Sequence, residues 1–265
     1  MHATTSAGDG CGNFTRVIFG GKRRKPPALY RSAATILPRA VSARRSSAPS
    51  PRTRVRRVHE RARYDRVTID AILDAALVCH LGFEREGQPY VIPTLHARIG
   101  DLLYVHGSSA SRTVRALGEG IPACATVTLL DGIVLARSVF EHSLNYRSVV
   151  VLGTATTVTD PDEKYAVLEA FTEKLLPGRF ADARPPTRKE LKATGVLSLP
   201  LNEASAKVRT DGPDDGDTPD AELDVWAGHI PLVMRALAPV PAPDLRPGIP
   251  VPPYAARYQR PGLTG

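Results

Sequence analysis

From Ala76 to Thr210 the chain is a train of short apolar or β-branched segments, separated by turn-forming residues. Few folds accommodate such a train. Ala76–Glu84 is closed by Glu86-Gly87-Gln88-Pro89. Tyr90–Arg98 and Asp101–His106 flank Ile99-Gly100-Asp101, which reads as a hairpin, and Ala123–Leu130 and Ile133–Arg137 flank Asp131-Gly132, a dipeptide that favours one. Tyr146–Thr159 is a long segment with Gly153 as an expected bulge or bend. Val196–Leu201 and Ser205–Thr210 form a final pair or one bent strand. Helices are few and short. Thr68 is an expected cap before an apolar-periodic stretch, Ser111–Gly118 a short helix, Asp160-Pro161 the start of a helix to about Leu176, and Thr187–Thr194 another. Six or more antiparallel strands with sparse helices predict a mainly β fold, a small barrel with helical insertions.

Charge sets the limits of that domain. Residues 1–66 carry a net charge of +13 and residues 67–265 a net charge of −5, so the chain's +8 belongs to its beginning. Residues 1–53, with runs such as Lys22-Arg23-Arg24-Lys25, are expected to be disordered. Three readings stand open for them: an organellar transit segment, a nucleic-acid-binding arm, or an over-extended start. Residues 54–235 form the expected domain, and residues 236–265 an extended tail, with eight prolines from Pro239 onward. A mildly acidic domain makes nucleic acid an unexpected partner, and no apolar run reaches the roughly 18 residues of a membrane span. The cysteines Cys11, Cys79 and Cys124 show no paired spacing, which excludes a disulfide scaffold and fits a reducing, cytoplasmic location.

Strand parity sorts the polar groups. Tyr90, Ile92, Thr94 and His96 share one face of their strand, and Leu102, Tyr104 and His106 one face of the next. The loop His106-Gly107-Ser108-Ser109-Ala110-Ser111-Arg112-Thr113 leaves a strand and enters a helix. It combines backbone donors, hydroxyls and an arginine, which is what a phosphate needs; the plain alternative is that Ser111 caps a short helix and Arg112 is solvated. His80, His96, His106 and His142 have no metal-ligand spacing, so no metal site is expected. Axial haem ligation, which needs one imidazole, stays open for His96, His106 or His142.

Three segments carry a resemblance: Gly87-Gln88-Pro89-Tyr90-Val91-Ile92-Pro93; Leu103-Tyr104-Val105-His106-Gly107 with Ser111-Arg112; and Asn145-Tyr146-Arg147-Ser148-Val149-Val150-Val151-Leu152-Gly153. Over about Arg54 to Val233 the chain resembles the FMN-binding split-barrel proteins, within them the pyridoxamine-phosphate-oxidase-like branch that includes the nitroimidazole-resistance (Nim) proteins. The resemblance implies a homodimer of six-stranded antiparallel split barrels with FMN at the subunit interface. It implies flavin contacts from Thr94, His96, Val105, His106 and Gly107, a phosphate clamp from Ser111 and Arg112 with Ser108 beside it, and closure by Trp226 of Trp226-Ala227-Gly228. It also implies an FMN-dependent oxidoreductase passing electrons from reduced nicotinamide to a small organic acceptor, with His106 as the candidate proton donor.

The departures are specific. The family's lysine after Ser-Arg is Thr113 here, and its flavin-strand arginine and lysine are Val91 and His96. The Arg-Leu-His-Asp-Arg run that binds substrate phosphate is replaced by Gly228-His229-Ile230-Pro231-Leu232. A true pyridoxamine-phosphate oxidase is therefore not expected. A haem-binding or non-catalytic flavin-binding protein is the alternative.

Overall fold

The computed structural model describes residues 47–259. The expectations for residues 1–46, Cys11 included, and for residues 260–265 lie outside them. The strands are β1 (Ala62–Arg63), β2 (Val78–Arg85), β3 (Gln88–Ile99), β4 (Leu102–Ser108), β5 (Pro122–Leu135), β6 (Ser143–Thr154), β7 (Thr156–Thr157), β8 (Thr194–Pro200), β9 (Ala204–Arg209) and β10 (Gly228–Pro231). The helices are α1 (Arg66–Ala75), α2 (Arg112–Gly118), α3 (Pro161–Leu175), α4 (Arg179–Asp182), α5 (Arg188–Ala193) and α6 (Pro253–Ala256).

These elements do not make the expected closed six-stranded barrel. They form a mixed α/β fold around one open ten-stranded sheet, ordered β1-β9-β6-β5-β2-β3-β4-β8-β7, with β10 on β5 off that path. The reason lies largely in β5. Asp131-Gly132 does not reverse the chain; it makes a register shift inside a continuous 14-residue strand. A strand that long takes β6 along one edge and divides the other between β2, near its start, and β10, near its end. Each end of the order is occupied by a two-residue strand: β1 on β9 and β7 on β8. Gly153 lies in regular register, and a Cβ there would come within 3.0 Å of Leu199 Cδ1, so its role is close packing.

The sheet has a buried layer on each side. Ile69, Ile72 and Leu73 of α1 join Leu81, Leu103, Val105, Val127, Val149, Leu197 and Ala206 in the larger core. Val167, Ala170 and Phe171 of α3 cover Ala97, Tyr104 and Val196 on the other face. Each large aliphatic side chain so buried contributes about 1.5–3 kcal/mol.

Local chemistry starts the helices. Asp65, not Thr68, caps α1, accepting from the Thr68 N–H at 2.8 Å. Asp160 with Pro161 begins α3, and Thr187 and Glu190 cap α5 reciprocally. No helix among the described residues is long and apolar enough to cross a membrane.

Candidate functional site

The strand-to-helix junction after β4 builds the site. Gly107 and Gly195 face each other across the β4–β8 ladder, and α2 sits on the space they leave. A Cβ on Gly195 would meet Val114 Cγ1 at 2.5 Å, so only glycine lets this helix sit so close. Ser111 Oγ accepts from the Val114 N–H at 3.2 Å and Ser108 O accepts from the Ser111 N–H at 2.9 Å, which pins the turn. The N–H groups of Arg112 and Thr113, at the start of the first turn, have no intrahelical acceptor.

Beside this turn lies an open cleft of about 200 Å³, lined by Leu81, Ile92, Thr94, Val105, His106, Gly107, Ser108, Ser111, Thr113, Val114 and Leu197. One end is aliphatic and the other carries hydroxyls. Six of the nine candidate residues meet here: Thr94, Val105, His106, Gly107, Ser108 and Ser111. Ile92 shares the expected face with Thr94, and Thr113 adjoins the Ser-Arg pair, so both were within reach of sequence reasoning. Leu81 and Leu197 come from strands that the sequence does not place beside the loop.

The other three lie elsewhere. Arg112 is exposed, its guanidinium 5.0 Å from the Tyr90 ring centroid, and Tyr90 in turn stacks on Phe83. Trp226 is 65% exposed and lies over Gly228, next to β10. That strand pairs with residues 132–135 of β5, whereas β2 meets β5 at residues 123–126, which places Trp226 roughly 30 Å along the sheet from the cleft.

His96 pairs with Val105, so it shares Val105's face and not that of His106. It is 1% exposed, and its Nε2–H donates to Leu73 O at 2.9 Å. Lys174 Nζ donates to the same oxygen at 2.9 Å, so together they satisfy a carbonyl at the end of α1 that the helix leaves open. Burial, with the Lys174 charge adding to it, lowers His96 to about 3, which keeps it neutral.

His106 sits edge-on against Phe171 at 4.3 Å. Burial lowers its pKa, and its Nδ1 is buried with no partner. His142 is exposed in the turn between β5 and β6, where its Nδ1–H donates to Ser138 O at 2.9 Å. That turn is anchored by Asp215, a fully buried carboxylate that accepts from the N–H groups of Arg137 and Ser138 and pairs with the Arg137 guanidinium at 3.1 Å. Asp215 stands in an acidic loop with no sequence signal to set it apart. Among the described residues no cluster of three metal-ligating side chains occurs.

The sequence profile of the pyridoxamine 5'-phosphate oxidase family matches residues 65–208, which include every cleft-lining residue. The chain belongs to the pyridoxamine 5'-phosphate oxidase-like family. Within it, the flavocytochrome Anf3 from Azotobacter vinelandii is 44% identical, with 81% of this chain and 99% of that chain covered and a TM-score of 0.77. The FAD and heme binding protein from Mycobacterium smegmatis is 41% identical, with 73% of this chain and 95% of that chain covered and a TM-score of 0.70. No curated protein matches the chain. Beyond the matched residues, β10 is followed by Leu232, whose N–H donates to Asp131 O at 3.0 Å.

Proposed function

We propose that this protein is a redox carrier that binds a flavin nucleotide in the cleft and a haem against His142, and acts as a homodimer. The observation that carries the reading is the pair of relatives matched over nearly their whole length, one a flavocytochrome and the other binding FAD and haem. They favour electron transfer between two groups over the nicotinamide-to-acceptor reaction implied by the family resemblance alone.

The cleft suits a flavin nucleotide. Its aliphatic end, from Leu81, Ile92, Val105 and Leu197, fits an apolar ring edge. Its other end offers the Ser108, Ser111 and Thr113 hydroxyls and two unpaired helix N–H groups to a phosphate, with Arg112 at the rim. His106 backs this wall from the other face of β4, its ring edge-on against Phe171.

Of the three histidines open to iron, His142 has the fitting geometry. A carbonyl can only accept, so the Nδ1–H bond to Ser138 O leaves the His142 lone pair on Nε2. Iron-ligating histidines are usually oriented in this way. The exposed Val139, Phe140 and Leu144 beside it would face an apolar macrocycle. His96 is sealed by its bond to Leu73 O, and the His106 Nδ1 has no partner to fix the ring. Haem and flavin, when bound, supply one- and two-electron chemistry; the chain's own residues orient them and limit water access. A second copy is the proposed cover for these exposed apolar side chains.

The test is the absorbance of purified variants. His142→Ala is expected to lose the Soret band and keep the flavin bands, whereas His106→Ala keeps the Soret band. The opposite pattern would move the iron to His106 and overturn the assignment.

A further inference from the structure

Arg112 stands between two cleft-lining residues, Ser111 and Thr113, and its side chain is held by an aromatic ring. The guanidinium lies over Tyr90, 5.0 Å from the ring centroid. Tyr90 stacks in turn on Phe83, with centroids 5.4 Å apart and ring planes at 19°. The register explains that stack. Phe83 pairs with Tyr90 across the β2–β3 ladder, and Leu81 pairs with Ile92; the second pair lines the cleft. Opposite residues share a face and a two-residue step is roughly 7 Å, so the aromatic pair is the next cross-strand pair beyond the cleft wall. Phe83 is 7% exposed and belongs to the larger core, and Tyr90 packs against that core half-buried. One ring is thus fixed by the core and fixes the other.

The kind of contact matters as much as its place. Arg66, Arg98 and Arg147 each bind a carboxylate, which occupies N–H donors and offsets the charge. An aromatic face does neither. It attracts a guanidinium through its π-electrons and leaves the N–H edge of the fork open. Among the described residues Arg112 makes no hydrogen bond and no ion pair. It is also the only charged residue in the stretch 108–113. An arginine held in place with its donors unused is ready for an anion, and phosphate oxygens accept two parallel bonds from such a fork.

We infer that Tyr90, stacked on Phe83, is the positioning residue that holds Arg112 at the cleft rim for the phosphate of a flavin nucleotide, and so favours phosphorylated over unphosphorylated flavin. This inference rests on the flavin reading above and names the residue that sets the phosphate preference. The experiment is titration of the full chain, dialysed free of flavin, with FMN and separately with riboflavin, read by flavin fluorescence. Arg112→Gln is expected to raise the FMN dissociation constant about tenfold, and Tyr90→Leu about two- to fivefold. Tyr90→Phe, which keeps the π-face, should leave it unchanged. Riboflavin should bind alike in all four proteins, and Tyr90→Leu should add nothing in the Arg112→Gln background. Unchanged FMN binding in Tyr90→Leu, equal weakening of FMN and riboflavin, or lost FMN binding in Tyr90→Phe would each overturn the inference. A wild-type chain that binds FMN no tighter than riboflavin would overturn it and leave the flavin reading standing, whereas one that binds neither would overturn both.

Discussion

The Leu73 carbonyl holds two buried bases, and each has a measurable consequence. His96 stays neutral down to about pH 3, whereas an unfolded imidazole takes up its proton near 6.5. Below 6.5 the unfolded chain therefore binds the extra proton, and stability falls as pH drops towards 3, by an amount on the order of 4 kcal/mol. His96→Gln keeps an N–H donor and has no proton to gain. Urea unfolding between pH 6.5 and 3.5 should show a shallower loss than wild type, and an equal slope would contradict this account. Asp215 acts through the Ser138 turn, so Asp215→Asn should loosen His142 and lower haem retention with flavin retention unchanged, as read from the ratio of Soret to flavin absorbance. A parallel loss of both would point to general unfolding. At this scale the sequence was partly legible: the alternation of β3 placed Thr94 and Ile92 together, and Ser111 stood out as a cap. The separation of His96 from His106 was not legible, because it depends on which residue of β4 faces which residue of β3.

Among the elements, α2 is the one on which the site depends most. Its seat is the Gly107–Gly195 pair, and Gly195→Ala must displace Val114 from 2.5 Å. We expect a loss of about 1–3 kcal/mol, the usual range for overpacking, with flavin affinity falling because the turn that presents the Ser111, Arg112 and Thr113 donors shifts. Unaltered flavin affinity in a destabilised variant would separate the seat from the site. The caps of α2 and α3 were readable because capping is settled within four residues. The course of β5 was not, since Asp131-Gly132 suits a hairpin and a bulge alike. What decides between them is distant: β10 pairs across the Gly132 position, and Arg147 binds the Asp131 carboxylate through two bonds of 2.8 Å.

For the whole molecule, titration reports how α1, α3 and the sheet are joined. Burial, only partly offset by Asp74 and Cys79, lowers Lys174 from 10.5 to about 8. Above pH 8 the folded chain releases this proton before the unfolded chain does, so stability rises with pH. Burial raises Cys79 from 9.0 to about 11, which acts in the opposite direction from pH 9 upward. Thermal melts should therefore show a rise between pH 8 and 9 that flattens beyond it, and Lys174→Met should lack the rise. A rise that persists in Lys174→Met would place its origin elsewhere. The strand-rich character of the chain was legible from its turn residues, but the open ten-stranded arrangement was not, because two-residue edge strands leave no periodicity to read. The overall charge of +8 likewise concealed a domain whose proposed site draws on backbone donors, hydroxyls and single histidines. The most direct test of the central claim is the absorbance spectrum of the native protein, with mass spectrometry of the molecules it releases. The account predicts a flavin nucleotide and haem, each near one per chain; a protein that releases neither, and takes up neither when both are supplied, would contradict it.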